Sequence, residues 1–474
     1  MMHDPLPADL AALQALLPPA DLLHRPEDLL TYSRDWSGDH QGTPFAVARP
    51  RDTASVAAIL RLCSERRLQV VPQGGLTGLV GAAVAAPGRR ELVVSLDRMT
   101  AVRSVSPLDY AMVVEAGCVL ETAKAAAEAE DCLLPITFGA QGSCRIGGNI
   151  ATNAGGFNVL RYGMTRDLVL GLEVVLPDGR IWNGLRTLRK DNRGPDLKQL
   201  FIGSEGTLGI VTAAALKLFP RPSQVETALV GLPSVEAAMA FYARARRTCS
   251  DLLSAFELIL RNGIAVAIGA GLPEPLASPF PVYVLMELAA SGSVDLRQLL
   301  ESCLEDAADL VTDGVLAESR AQSAKLWTYR ELMVERQGRG QPYFRTDVSV
   351  PISRIADLLS GVLPALAAQF PQARTLAYGH VGDGNLHINL IPPEGVTPEE
   401  RATLFHQAED VIFSVVDRLG GSISAEHGIG RVKQAAYLQR VDPVTLDLQR
   451  KLKHMLDPMA LLSAGRILPA QAKD

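Results

Sequence analysis

Cysteine is scarce and scattered. Six occur in 474 residues, at Cys63, Cys118, Cys132, Cys144, Cys249 and Cys303, and no two form a Cys-x-x-Cys pair. This spacing argues against a zinc ribbon or a built-in iron–sulfur cluster and predicts buried thiols in a reducing compartment. Aromatic residues are few, at 5%, and the net charge is −6. The chain therefore has neither the stacking surface nor the electrostatic pull of a nucleic-acid binder. No apolar run reaches the length of a membrane span. The opening residues, MMHDPLPADLAALQALLPPADLL, place acids and prolines where a signal peptide carries a basic stretch before an apolar one. The expectation is a cytoplasmic protein with no transmembrane segment.

Two common phosphate-binding signatures are also missing. The glycine-rich loop PQGGLTGLVGAAV, Pro72 to Val84, is not closed by Gly-Lys-Ser/Thr and does not fit G-x-G-x-x-G. A Walker A loop and a nicotinamide Rossmann turn are both disfavoured.

What is present is a large globular chain. Hydrophobic residues make up 47% and charged residues 21%, and the length allows two or three domains. Residues 8–17 and 55–67 carry helical spacing, and residues 68–71 read as a strand leading into the glycine-rich loop. The free N–H groups of that loop suit an anion. Strands are predicted over 91–95 and 112–115, a helix over 119–130, and a hairpin over 168–180 around Asp178-Gly179. The block from Pro135 to Gly179 alternates glycine with Ala, Ser, Thr and Asn. Such a wall suits a large flat ligand, and it equally suits a helix packed tightly on a sheet. After Pro222 a strand–helix–strand rhythm predicts a separate α+β domain up to about residue 425.

The densest chemistry lies in YGHVGDGNLHINL, Tyr378 to Leu390, and in SAEHGIG. His380 and His387 have opposite parity, so one unbroken strand would point them apart. The turn Gly382-Asp383-Gly384 lifts that constraint. Two histidines and Glu426 suit a borderline divalent metal such as zinc, whereas the alternative is a set of hydrogen-bonded core histidines.

These stretches, with GSCRIGGNIATNAGG, LRYG and LRKDNRGPDLKQLFIGSEGTLGI, resemble the vanillyl-alcohol-oxidase-type FAD flavoproteins. Within that fold the D-2-hydroxyglutarate dehydrogenase group is most similar, with D-lactate dehydrogenases and glycolate oxidase flavin subunits nearby. The resemblance implies an α+β fold: a two-subdomain PCMH-type FAD-binding domain over 1–222, an α+β substrate or cap domain over 223–425, and a helical segment over 426–474 that closes the site. It implies non-covalent FAD, its pyrophosphate cradled by Pro72, Gly74, Gly75, Leu76, Thr77, Gly78 and Gly81. Ser143, Gly147, Gly148, Thr152, Asn153 and Gly155 would line the flavin. Glu205, Gly209 and Ile210 would meet the adenosine side. His380, His387 and Glu426 would hold a divalent metal, with zinc favoured. His427 would be the base, Asn389 would help hold substrate, and Arg330 would grip a carboxylate.

Two positions depart from the D-2-hydroxyglutarate pattern. Val334 stands where that group has a threonine, and Arg345 where it has a lysine. Arg345 keeps a positive charge and is a candidate for a second carboxylate; Val334 cannot donate a hydrogen bond. The implied reaction is oxidation of a D-2-hydroxy acid, D-2-hydroxyglutarate first and D-malate next. Electrons would pass to an electron-transfer flavoprotein, a cytochrome or a quinone, and a homodimer is a common state for such folds. The alternatives are a D-lactate or glycolate enzyme, a zinc hydrolase, and a non-catalytic flavin subunit.

Overall fold

The computed structural model describes residues 5–338 and 340–470. The chain divides into two compact units that interleave in sequence. The first takes in residues up to Ala154, Met164–Arg221 and the stretch from Glu426 onward; the second takes in Gly155–Gly163 and Pro222–Ala425.

In the first unit, Ala46–Ala48, Glu91–Ser95 and Gln69–Gln73 run parallel side by side, with Leu22–Leu23 antiparallel at one edge. Parallel neighbours need a crossover, and the helix Thr53–Arg66 supplies one. Its ends are written in the sequence. The Asp52 side chain accepts from Ser55 N, and Arg67 turns left-handed at the other end, φ +54°. Val56, Ile59, Leu60 and Cys63 face inward, as the spacing predicts.

A second, antiparallel sheet runs in the order Val102–Ser106, Ala111–Glu115, Ile210–Lys217, Val169–Val175, Ile181–Asn183. The last two strands are the predicted hairpin, turning through Gly179 at φ +80°. The C-terminal stretch docks on the exposed edge of Gln69–Gln73. Val70 N donates to Leu461 O, and Ser463 N donates to Val70 O, both at 2.8 Å. Further along, the wholly buried Arg466 pairs with the buried Glu91, Nη1 to Oε1 at 2.7 Å, and donates to Val84 O. A buried guanidinium answered by a carboxylate and carbonyls fixes one arrangement of the tail, because any other strands the charge.

The second unit holds one antiparallel sheet of seven strands, in the order Asp313–Leu316, Gln224–Leu232, Val282–Ala290, Leu253–Leu260, Arg374–His380, Asn385–Ile391, Val348–Ser349. One face is covered by the helices Arg261–Gly269 and Arg320–Arg336. There Leu229, Ile259, Tyr283 and Leu285 of the sheet pack with Ile264 and Met333. Helices Val235–Cys249, Leu296–Asp306, Ile355–Gln369 and Pro398–Arg418 complete the unit. All six cysteines are buried. Among the described residues no helix is long and apolar enough to cross a membrane.

Candidate active site

In the first unit the glycine loop leaves Gln69–Gln73 and bends at once. Leu76 is left-handed at φ +58° and Gly81 at +65°. The loop passes hard against the next glycine-rich stretch. A Cβ on Gly75 would lie 2.2 Å from the Ser143 carbonyl oxygen, and one on Gly74 would lie 3.7 Å from Gly148 Cα. Gly78 and Gly148 instead face open space within 4 Å. Two backbones in near contact, with room kept beside them, form a cradle of the kind that suits a flat phosphorylated ligand.

The floor of this cradle is the short helix Ile146–Thr152, ended by Asn153 at φ +51°. Gly203 N donates to Ile150 O and Glu205 N to Ala151 O, which ties the GSEG loop to the helix. The Glu205 carboxylate is buried. It accepts from Ile429 N and Gly430 N, each at 2.7 Å. Burial pushes its pKa up, and those two amides offset part of that rise.

In the second unit the hairpin of Arg374–His380 and Asn385–Ile391 sets Tyr378 opposite His387 and His380 opposite Asn385. Opposed residues of an antiparallel pair share a face. Residues 381–384 cross between the strands, and both histidines therefore reach the same face despite their opposite parity. Their ring centroids lie 5.9 Å apart, edge to face. The crossing needs glycine: Gly384 sits at φ +78°, and a Cβ there would lie 2.1 Å from the Val350 carbonyl oxygen.

Each imidazole is oriented through Nδ1. His380 Nδ1 meets Glu257 Oε1 at 2.5 Å, and His387 Nδ1 meets the Thr346 carbonyl at 3.3 Å. A carbonyl and an ionised carboxylate only accept, so each ring presents Nδ1–H to its partner and turns Nε2 away from it. With Nε2 deprotonated, an imidazole held this way can take a divalent metal. Asp347, wholly buried beside this pair in sequence from Thr346, accepts from Asn385 Nδ2 at 3.0 Å.

Glu257 also receives Arg330 Nε at 2.8 Å. Burial pushes the Glu257 pKa up, but the adjacent His380 and Arg330 charges pull it further down, to about 2. The guanidinium of Arg330 lies 4.5 Å from the Tyr378 ring centroid and 5.3 Å from that of Phe157. Arg330 is 3% exposed, and among the described residues its one side-chain hydrogen bond leaves from Nε.

Residues 44–184 match the "FAD binding domain" family, and residues 221–467 match "FAD linked oxidases, C-terminal domain". The chain belongs to the FAD linked oxidase family. It is an FAD-dependent oxidoreductase. Curated relatives cover nearly its whole length. A mitochondrial D-2-hydroxyglutarate dehydrogenase of Bos taurus is 41% identical over 98% of this chain and 84% of its own. A D-2-hydroxyglutarate dehydrogenase of Xanthomonas citri pv. viticola is 39% identical over 96% of both chains. Among solved structures, 4-ethylphenol oxidase from Gulosibacter chungangensis superposes with a TM-score of 0.78 at 17% identity, covering 99% of this chain and 98% of that one. p-Cresol methylhydroxylase gives a TM-score of 0.76 at 16% identity, again covering 99% and 98%. At such identity these two establish the fold, which is the expected PCMH type.

Several cofactor positions read from this family's motifs have a structural job as well. Gly147 packs its helix on the second sheet of the first unit: its N–H donates to Ala116 O at 2.7 Å, and a Cβ would lie 2.7 Å from Ala116 Cβ. A Cβ on Gly209 would meet Val174 at 2.6 Å, and Ile210 is buried in the core. From these three positions only backbone remains for a ligand. Thr152 Oγ1 donates to Gly148 O, and Asn153 Oδ1 accepts from Arg166 N. Gly155 falls in the second unit, with Phe157.

Asn389, read as a substrate contact, is bonded inside the protein through both ends of its amide. Its Nδ2 donates to Gln337 Oε1 and to Tyr378 OH, and its Oδ1 accepts from Thr346 N. Arg345 is half-buried, its guanidinium 4.4 Å from the Tyr343 ring centroid. Glu426 and His427 are half-buried and open the last stretch of the first unit. Ala425, just before them, donates its N–H to Asp347 O at 3.2 Å.

Sequence reasoning passed over Glu257, Gln337 and Phe157. Glu257 left a signal: it is the lone acid in LSAFELIL, a strand whose every residue is buried, and such an acid needs a partner. Gln337 and Phe157 carry no comparable mark.

Proposed function

We propose that this chain oxidises a D-2-hydroxy acid to the 2-keto acid with FAD, with D-2-hydroxyglutarate as preferred substrate, and hands the electrons to a separate acceptor. The observation that carries this reading is the near-full-length similarity to proteins named D-2-hydroxyglutarate dehydrogenase. The buried fork of Arg330 supports it, since a planar guanidinium with its outer edge unspent matches a carboxylate.

FAD, bound along the glycine cradle of the first unit, supplies the two-electron acceptor. A divalent cation, zinc for preference, would be held by His380, His387 and Glu426 and would supply Lewis acidity toward the substrate hydroxyl. Arg330 holds the carboxylate next to the reacting carbon and orients it. His427 accepts the hydroxyl proton. Arg345 takes the distal carboxylate, and the Tyr343 ring beneath it limits the directions its fork can point. Asn389 acts at one remove, by fixing Tyr378 under Arg330.

Val334, 37% exposed on the Arg320–Arg336 helix, favours a second reading. An apolar side chain there offers nothing to a distal carboxylate, which suits D-lactate. Arg345→Ala separates the two. Loss of one charged hydrogen-bond set, about 1.5–3 kcal/mol, lowers kcat/KM for D-2-hydroxyglutarate by roughly 10- to 100-fold. D-Lactate turnover should scarcely change. Equal losses on both substrates would remove Arg345 from the distal site and leave the D-lactate reading standing.

A further inference from the structure

We propose that Glu257 is a positioning residue that couples the metal ligand His380 to the substrate clamp Arg330. The proposal rests on the reading of His380 as a metal ligand given above.

One carboxylate serves two functional side chains. Oε1 takes His380 Nδ1 at 2.5 Å and Oε2 takes Arg330 Nε at 2.8 Å. Glu257 is itself wholly buried, so water does not compete for either oxygen. Its strand is flanked on one side by Arg374–His380, where Glu257 stands directly opposite His380. The carboxylate is therefore held at the height of the imidazole by backbone register. On its other oxygen, the guanidinium it holds also lies over the rings of Tyr378, at 4.5 Å, and Phe157, at 5.3 Å, and the Nε bond adds a directional restraint to those contacts.

Two consequences follow. Toward His380, an acceptor on Nδ1 keeps the lone pair on Nε2, raises the basicity of that nitrogen and fixes the ring plane. Toward Arg330, the bond from Nε turns the two Nη groups outward as a fork. A single negative charge thus sets the aim of both groups, and it offsets the buried guanidinium charge.

The test uses flavin-loaded protein stripped of metal, titrated with zinc against a chromophoric chelator. Wild type should take up one equivalent. Glu257→Gln keeps the shape of the side chain, but when its oxygen serves Arg330 its amide presents N–H to His380 Nδ1. That drives the proton to Nε2. Zinc affinity should fall by about 10- to 100-fold, with flavin content unchanged and with a raised KM for the hydroxy acid. Glu257→Asp keeps the charge but is too short to serve both partners, and should lie between the two. A histidine ¹⁵N spectrum of the metal-free wild type, assigned with His380→Gln, should show His380 protonated at Nδ1.

Wild type that takes up one zinc, with variants that bind it as tightly and lose only thermal stability, would overturn the coupling and leave the metal reading intact. A His380 signal protonated at Nε2 would also overturn it. Wild type that takes up no zinc would remove the metal reading, and the inference with it.

Discussion

A guanidinium that is 3% exposed needs its charge answered, and in the second unit Glu257 answers it at 2.8 Å. Such a pair adds little net stability over a well-packed apolar pair, but losing one partner is costly because it strands the other. Arg330→Met is therefore expected to destabilise the second unit by about 3 kcal/mol or more, read as an earlier unfolding transition, and to abolish saturation by the hydroxy acid. Unchanged melting with normal KM would mean that Arg330 neither balances Glu257 nor meets substrate. At this scale the sequence expected the turn to bring His380 and His387 together, and their rings do lie 5.9 Å apart on one face. It was opaque where a side chain owes its role to a neighbour far along the chain. Asn389 is such a case: its partners Gln337 and Thr346 stand on other elements, and only their arrangement shows that its amide is already engaged.

At the scale of elements, the hairpin around Gly384 converts sequence parity into a shared face. The Val381–Asp383 turn and the left-handed Gly384 bring Asn385 opposite His380, and His387 follows onto the same side. Gly384→Ala introduces left-handed strain of about 1–2 kcal/mol and a Cβ 2.1 Å from the Val350 carbonyl oxygen. It is expected to lower the stability of the second unit and weaken zinc uptake together, as followed by unfolding and chelator competition. A variant with both properties intact would contradict the role given to this turn. Local signals located most regular elements, including Glu91–Ser95 and the Val169–Val175 hairpin, because cap residues and period-two patterns are written in short windows. The helix Ile146–Thr152 escaped them. Its two consecutive glycines lower helix propensity, and packing on Ala116 overrides it.

At the scale of the molecule, the two units share one interleaved chain. Gly155–Gly163 leaves the first unit to join the second, and the stretch from Glu426 returns to the first. Hydrophobic periodicity carries no information on the excursion of Gly155–Gly163, which is short and locally unremarkable. The α+β class and the PCMH-type fold were legible through motifs spread from the first glycine loop to the C-terminal stretch, and the family matches and structural neighbours agree with that reading. The electron acceptor leaves no such mark.

The most direct measurement is anaerobic mixing of the purified flavin-loaded protein with D-2-hydroxyglutarate while the visible flavin band is recorded. The band should bleach with the D-enantiomer, more slowly with D-lactate, and not with L-2-hydroxyglutarate. A flavin that stays oxidised with every D-2-hydroxy acid offered would contradict the account.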